Sequence, residues 1–317
     1  RKPKPTPPQK PETNPTPLRK QATLSEVGKM AGVSAMAAST VLNGARSSSR
    51  ISAKTRERIL EAAAKLNYRP NAAARALLRQ KMNTIGVAAV VDAGELNYYF
   101  LEVLGGVLEA ASRFAQNVTV FTLHDWNRES ERIGDFCDGR IDGLILVAPT
   151  IIRPSPKVFP PYIPFVSLHS NTLLPDVNDI ESDEQQGSTA IVNTLIERGH
   201  RRILHMAGPQ VFKGARLRMD GYLAALDEHG IPRDESLIVA SGYTQKEGYE
   251  AILRWMEGHR GEELPTAIFC CNDGCAVGCL EGLASSGIRV PADVSVAGFD
   301  DTLASRTSVP QIATVKQ

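Results

Sequence analysis

Long apolar runs are missing from this 317-residue chain. None approaches the ~20 residues that a membrane span requires. The first stretch is charged and proline-rich without an apolar h-region, so no secretory signal is expected and a cytoplasmic location follows. Cysteine is sparse: there are five, an odd number, with four crowded into residues 270–279, which is no disulfide framework. No G-x-G-x-x-G follows the first apolar strand pattern and no G-x-x-x-x-G-K-[ST] occurs anywhere. That weighs against a dinucleotide-binding enzyme or a phosphate-loop nucleotidase. No Ser/His/Asp set or carboxylate pair stands out as catalytic machinery, and no cofactor or metal is expected.

Acidic residues are scarce at one end only. Residues 1–81 hold 17 Lys and Arg against 4 Asp and Glu, whereas the remainder holds 19 against 31. The formal net charge of +1 thus conceals a strongly basic head on an acidic body. Such asymmetry points to a polyanionic partner engaged through the head.

Residues 1–21 mix proline, lysine and threonine with almost no apolar side chains, the composition of a disordered arm. Residues 22–69 carry three short helical patterns. Thr23 and Glu26 have the T-x-x-E spacing of a capping box, which starts a helix carrying Leu24, Val27, Met30 and Ala31. Gly32-Val33-Ser34 predicts a tight turn into a second helix through Val41 and Leu42, with Ser34 as its cap. Ser52 is expected to cap a third helix with Ile59, Leu60, Ala63 and Leu66 inward.

A helix, a glycine turn and a second helix match a helix-turn-helix, whose second helix lies in the major groove. The plainer alternative is a simple three-helix bundle, and the charge excess argues against it. Arg46, Arg50, Lys54, Arg56 and Arg58 flank the second helix and suit phosphate contacts, which position without reading sequence. Base choice then falls to Ala35, Met36, Ser39 and Thr40.

From Thr84 onward, apolar strands alternate with helices. IGVAAVV, NVTVFTL, IDGLILVAP, PFVSL, RRILHMAG, LIVASG, TAIFCCND and VSVAGFDD read as strands. Residues 100–114, 129–139 and 187–198 read as helices between them. This pattern predicts parallel sheets covered on both faces, and its length suggests two α/β subdomains across residues 83–317. Open sheets of this kind bind ligands beyond the carboxyl ends of their strands. Asn97, Tyr99 and Phe100 follow the first strand, Arg218 opens the helix after RRILHMAGP, Asn272 follows AIFCC, and Asp300 follows VSVAGF. A guanidinium fork, an amide and a carboxylate suit hydroxyl groups, and aromatics suit a sugar's C–H face. Cys271, Cys275 and Cys279 recur every fourth residue on one helix face. Without C-x₂-C spacing they read as packing residues rather than a metal site.

ATLSEVGKMAGVSAMAASTVLN followed by ISAKTRERILEAAAKLNYRPNAAARALL resembles the DNA-binding head of the lactose-repressor (LacI/GalR-type) family of transcription regulators. NYYFLEVLGGVLEAA, DGRIDGLILVAP, RGHRRILHMAGP, RLRMDGYLAAL, CNDGCAVG and VPADVSVAGFDDT resemble the family's body in order. The resemblance covers nearly all of residues 22–317. It implies a helix-turn-helix head, a hinge helix over residues 70–82, and two doubly wound parallel-sheet subdomains like those of periplasmic binding proteins. It implies a homodimer on a near-palindromic double-stranded operator, and an effector, a sugar or sugar acid, bound between the subdomains.

DNA contacts implied by the family motif fall at Ser34, Ala35, Met36, Ser39, Thr40, Asn43, Arg50 and Lys54, and in the hinge at Asn71, Ala74 and Leu77. The alanine-rich hinge NYRPNAAARALLRQ is too short to be a stable isolated helix. In the family it folds in the minor groove, where Leu77 would act as a wedge. Effector contacts are implied at Asn97, Tyr99, Phe100, His169, Arg218, Tyr243, Asn272 and Asp300.

The sequence departs from the family where relatives often carry threonine, valine and arginine but this chain has Ala37, Ala38 and Thr40. Thr40 offers at most one polar contact or a touch on a thymine methyl, not arginine's bidentate grip on guanine. His169 stands where several relatives have aspartate. At ATVKQ relatives continue into a further helix that returns to the first subdomain; without it, one sheet face would be less covered and the dimer weaker. A sugar-binding transport protein shares the body's fold, but the basic head argues against that reading.

Overall fold

The structure is a computed structural model that describes residues 21–43, 51–71, 81–91, 97–155 and 157–317. Its contacts divide the chain into two units, Arg1–Met82 and Asn83–Gln317.

In the first unit, α1 spans Leu24–Ala31, α2 Ala35–Asn43 and α3 Ala53–Lys65. Thr23 and Glu26 close the expected capping box: Thr23 Oγ1 accepts from the Glu26 amide, and Glu26 Oε2 accepts from the Thr23 amide at 2.7 Å. Two glycines build the turn. Gly32 takes a left-handed backbone (φ 66°), and a side chain at Gly28 would collide with the Val33 carbonyl at 2.9 Å. Ser34 and Ser52 cap α2 and α3 through the Ala37 and Thr55 amides.

Val27, Ala31, Ala38, Val41, Ile59, Ala62 and Ala63 form the core of the head. Leu60, expected inside, is 51% exposed, and Met30 of the apolar set on α1 is 52% exposed. At ~100° per residue, the buried stripe of α1 centres between Leu24, Gly28 and Ala31, leaving Met30 well off it. On α3 the stripe through Ile59, Ala62 and Ala63 likewise excludes Leu60.

The second unit contains two parallel sheets. The first has the order β2-β1-β3-β4-β5, from β1 (Thr84–Val90), β2 (Asn117–Leu123), β3 (Gly143–Val147), β4 (Phe165–Leu168) and β5 (Asn178–Ile180). The second has the order β7-β6-β8-β9, from β6 (Ile203–Met206), β7 (Ile238–Val239), β8 (Ala267–Cys270) and β9 (Ser295–Ala297). The connecting helices are α4 (Tyr98–Arg113), α5 (Arg132–Phe136), α6 (Glu184–Glu197), α7 (Lys213–Glu228), α8 (Gln245–Gly258), α9 (Asp273–Ser285) and α10 (Leu303–Thr307).

Alternation along the strands feeds a core on each face. Leu204 and Met206 of β6 join Ile252, Trp255, Cys275 and Cys279 of α8 and α9, while Ile203 joins Val192, Ile196 and Tyr222 of α6 and α7. In the first sheet Val87 and Ala89 meet Phe100 of α4, and Ala88 meets the cluster of Ile133 and Phe136.

Three elements differ from the sequence expectation. The helix expected over 129–139 shrinks to five residues: its start is wound in tight turns, with the Arg132, Ile133 and Gly134 amides bonded to the carbonyls three residues back. β2 is an edge strand in which only Phe121 and Leu123 are buried, so it is not covered on both sides. The short polar β5 was not foreseen, since Asn178 and Asp179 carry no strand signal.

Candidate functional site

On the head, Ala35 and Met36 stand exposed at the start of α2, Ser39 and Thr40 are half-buried, and Lys54, Arg56 and Arg58 are exposed at the start of α3. Ser34 is exposed at its cap, and Asn71 is exposed beyond the head's third helix. Asn43 differs from expectation: it is buried, and its amide donates to Ser39 Oγ at 2.9 Å. Arg50, Ala74 and Leu77, with Arg46 and Arg75, lie outside the described residues.

The body's second cluster sits beyond the carboxyl ends of the strands. Strand order reverses beside β1 and beside β6, and at such switch points loops diverge and leave a crevice. Two of the site residues sit where the chain leaves a strand in an unfavourable backbone state: His169 after β4 has φ 51° and Asp300 after β9 φ 110°. Non-glycine residues are held so only where surrounding contacts impose it.

Those contacts form one buried polar network. Arg218 of α7 donates Nε to Glu184 Oε2 at 2.5 Å and Nη1 to the Cys271 carbonyl. Its Nη2 lies 3.2 Å from Asp300 Oδ1, and its guanidinium carbon sits 4.0 Å from the centre of the Phe299 ring. Arg218, Glu184 and Asp300 are all nearly inaccessible to solvent. One cation is therefore shared by two carboxylates. Burial pushes the Asp300 carboxyl up to about 7, opposed by Arg218 and reinforced by Asp273 and Glu184.

The network crosses between the two subdomains. The Ser182 amide donates to His169 Nε2 at 2.9 Å, which leaves Nδ1 to carry the proton toward the Tyr99 hydroxyl at 2.6 Å. His169 is thus a neutral bridge, and burial keeps its pKa below the usual imidazole range. Gln317 donates Nε2 to Glu184 Oε1 at 2.6 Å, and Ser182 Oγ donates to the same oxygen at 3.2 Å. Tyr243 stacks on Phe212 with rings 5.8 Å apart, and burial raises its phenol pKa.

The structure brings Tyr99, His169, Arg218 and Asp300 together. Other residues expected at the site also have places in the fold. Asn97 caps α4 by accepting from the Phe100 amide (2.7 Å). Asn272 caps α9 and donates to the Tyr243 carbonyl (3.0 Å). Phe100 is buried against Val87, Ala89 and Val147. Glu184, Ser182 and Gln317 were missed. An acid in a first helical turn reads as a complement to the helix dipole, and only the unforeseen β5 just upstream would have marked Glu184 as a strand-end residue.

Cys271, Cys275 and Cys279 are fully buried in the apolar cluster between α8, α9 and the sheet. Among the described residues no group of three or more His, Cys, Asp or Glu is arranged to hold a metal, and no helix is long and apolar enough to cross a membrane.

Comparison with known proteins matches residues 23–71 to the model of bacterial regulatory proteins of the lacI family, and residues 192–317 to the periplasmic binding protein-like domain. A probable HTH-type transcriptional repressor, ExuR of Bacillus subtilis (strain 168), is 33% identical over 298 residues, spanning 93% of this chain and 86% of its own. Two solved structures align over 94% of this chain and 88% of theirs. They are the Lac repressor dimer bound to operator and the anti-inducer ONPF (30% identity, TM-score 0.79) and a complex of the transcriptional regulator CelR with cellobiose (28%, 0.65). With a helix-turn-helix head, two parallel α/β sheets and this likeness along nearly its whole length, the chain belongs to the lacI family of bacterial regulatory proteins and is a DNA-binding transcription regulator.

Proposed function

We propose that this regulator is a cytoplasmic homodimeric repressor whose operator affinity is set by a neutral, polyhydroxylated ligand of sugar type, held where Tyr99, His169, Arg218 and Asp300 converge. The observation that carries this reading is the sharing of Arg218 between Glu184 and Asp300. A guanidinium already neutralised by two carboxylates offers no surplus positive charge to a uronate or a phosphate. A further anion would join a site where Glu184 already balances Arg218 and Asp300 adds negative charge as it titrates through about 7, in a medium where repulsion is poorly screened. Hydroxyl groups need no countercharge. They can donate to the two carboxylates and accept from the guanidinium edge.

The same residues connect ligand and DNA. Tyr99 and His169 belong to the first subdomain, Glu184 and Arg218 to the second, and a ligand held by all four favours one arrangement of the pair. Such a ligand shifts DNA affinity only through its differential affinity for the two arrangements. Calorimetric titration of neutral hexoses, pentoses, disaccharides and alditols beside their uronic and phosphorylated counterparts tests the ligand class. A neutral compound should bind and its acid counterpart should not. Binding confined to the acids would overturn the reading.

A further inference from the structure

The polar side chains of α2 are each already engaged once within the helix. Thr40 Oγ1 donates to the Met36 carbonyl at 3.0 Å, which commits its only proton and leaves it at most an acceptor toward a base. Ser39 Oγ accepts from the Asn43 amide at 2.9 Å, and Asn43 itself is buried. Ser34 Oγ is engaged by the Ala37 amide. The helix contains no Arg, Lys or Gln, and its single Asn is the buried one, so the bidentate pairs that distinguish guanine and adenine are missing from it. What α2 presents is apolar: Ala35 at its first position, and Met36, 79% exposed, beside it.

Only one apolar feature exists on a base edge in the major groove, the C5-methyl of thymine. Elsewhere on the groove floor a thioether side chain would cover base-edge donors or acceptors without pairing them, at the cost of their desolvation. Resting on the reading that α2 enters the major groove, we propose that Met36 is a specificity-determining residue that selects thymine in each operator half-site by contact with its methyl group. The phosphate contacts of Lys54, Arg56 and Arg58 supply affinity without this discrimination. The long, unbranched and polarizable Met side chain suits the task, since it adapts its shape to a small apolar target.

The test begins with selection of tight-binding duplexes from a random pool by the full chain. Each enriched thymine is then replaced by deoxyuridine, which keeps every hydrogen-bonding edge and lacks only the methyl. At one position in each half-site the affinity should fall roughly three- to fivefold. That corresponds to about 0.8 kcal/mol per buried methyl-sized group at ~1.4 kcal/mol per tenfold. Met36→Ala should bind thymine and deoxyuridine duplexes alike at that position, measured at reduced salt if binding is weak. Met30→Ala, which removes an exposed methionine from α1, should discriminate as the wild type does. Selected sites insensitive to deoxyuridine, or discrimination that survives Met36→Ala, would overturn the assignment. A pool that yields no enriched sequence would overturn the DNA-reading role itself, and the proposal with it.

Discussion

Asp300→Asn should make the body more stable at pH 8 relative to wild type than it does at pH 5. The reason is the burial of the Asp300 carboxyl, which outweighs the pull of Arg218, a cation already shared with Glu184. Burial raises the Asp300 pKa from 3.8 to about 7 in the folded chain. Between those values the folded state holds a proton that the unfolded state has lost. The stability this contributes is full below about pH 4 and is lost as pH rises through about 7.

Each pH unit in that window is worth ~1.4 kcal/mol, so wild type should lose about 2–3 kcal/mol through this group between pH 5 and pH 8. Asparagine does not titrate, and Arg218 keeps Glu184 as its partner. The difference between variant and wild type should therefore shift in the variant's favour by about that amount. Urea unfolding of both proteins at pH 5, 6, 7 and 8 measures it, and taking the difference removes every other titrating group. A difference independent of pH, or one that moves against the variant as pH rises, would refute the burial of a protonated Asp300 at this site.

Other expectations follow from the same contacts. Thr23→Ala removes the capping box of α1, should cost about 0.5–2 kcal/mol, and should appear as faster amide exchange in α1 without change in ligand binding by the body. Log operator affinity should fall linearly with log salt at ~0.9 per phosphate neutralised, and Lys54→Ala should lower that slope; an unchanged slope removes Lys54 from the phosphate contacts. Glu184→Gln should destabilise the body by about 1–3 kcal/mol through a lost charge-assisted bond and should raise affinity for acidic sugars relative to neutral ones in calorimetry.

Much of the architecture was legible because its signals are local. Thr23 with Glu26, and Gly32 before Ser34, define helix ends within a few residues, and the apolar runs around Val87, Ile145 and Ile268 mark buried strands. Errors arose where packing direction or edge position decides. Leu60 is apolar but lies off the stripe that the α3 alanines define. Asn178 and Asp179 pair only because β4 offers them an edge.

The candidate site was half legible for a related reason. Strand ends pointed to Tyr99, Arg218 and Asp300. The same rule also pointed to Asn97 and Asn272, which cap helices, and to Phe100, whose place in the helical repeat turns it into the core. Glu184 escaped because nothing in its neighbourhood announces that it meets a residue 34 positions away.

A ligand at Arg218 and Asp300 should control the hold of the head on DNA. The most direct test of this control is the operator affinity of the dimer, measured by fluorescence anisotropy on a selected duplex, with and without the neutral compound that calorimetry identifies. The affinity should change by about 5- to 150-fold, the usual range of ~1–3 kcal/mol for coupled sites, and the change should be lost in Arg218→Ala while DNA binding persists. An affinity that the compound leaves unchanged, or a response that Arg218→Ala retains in full, would contradict such control.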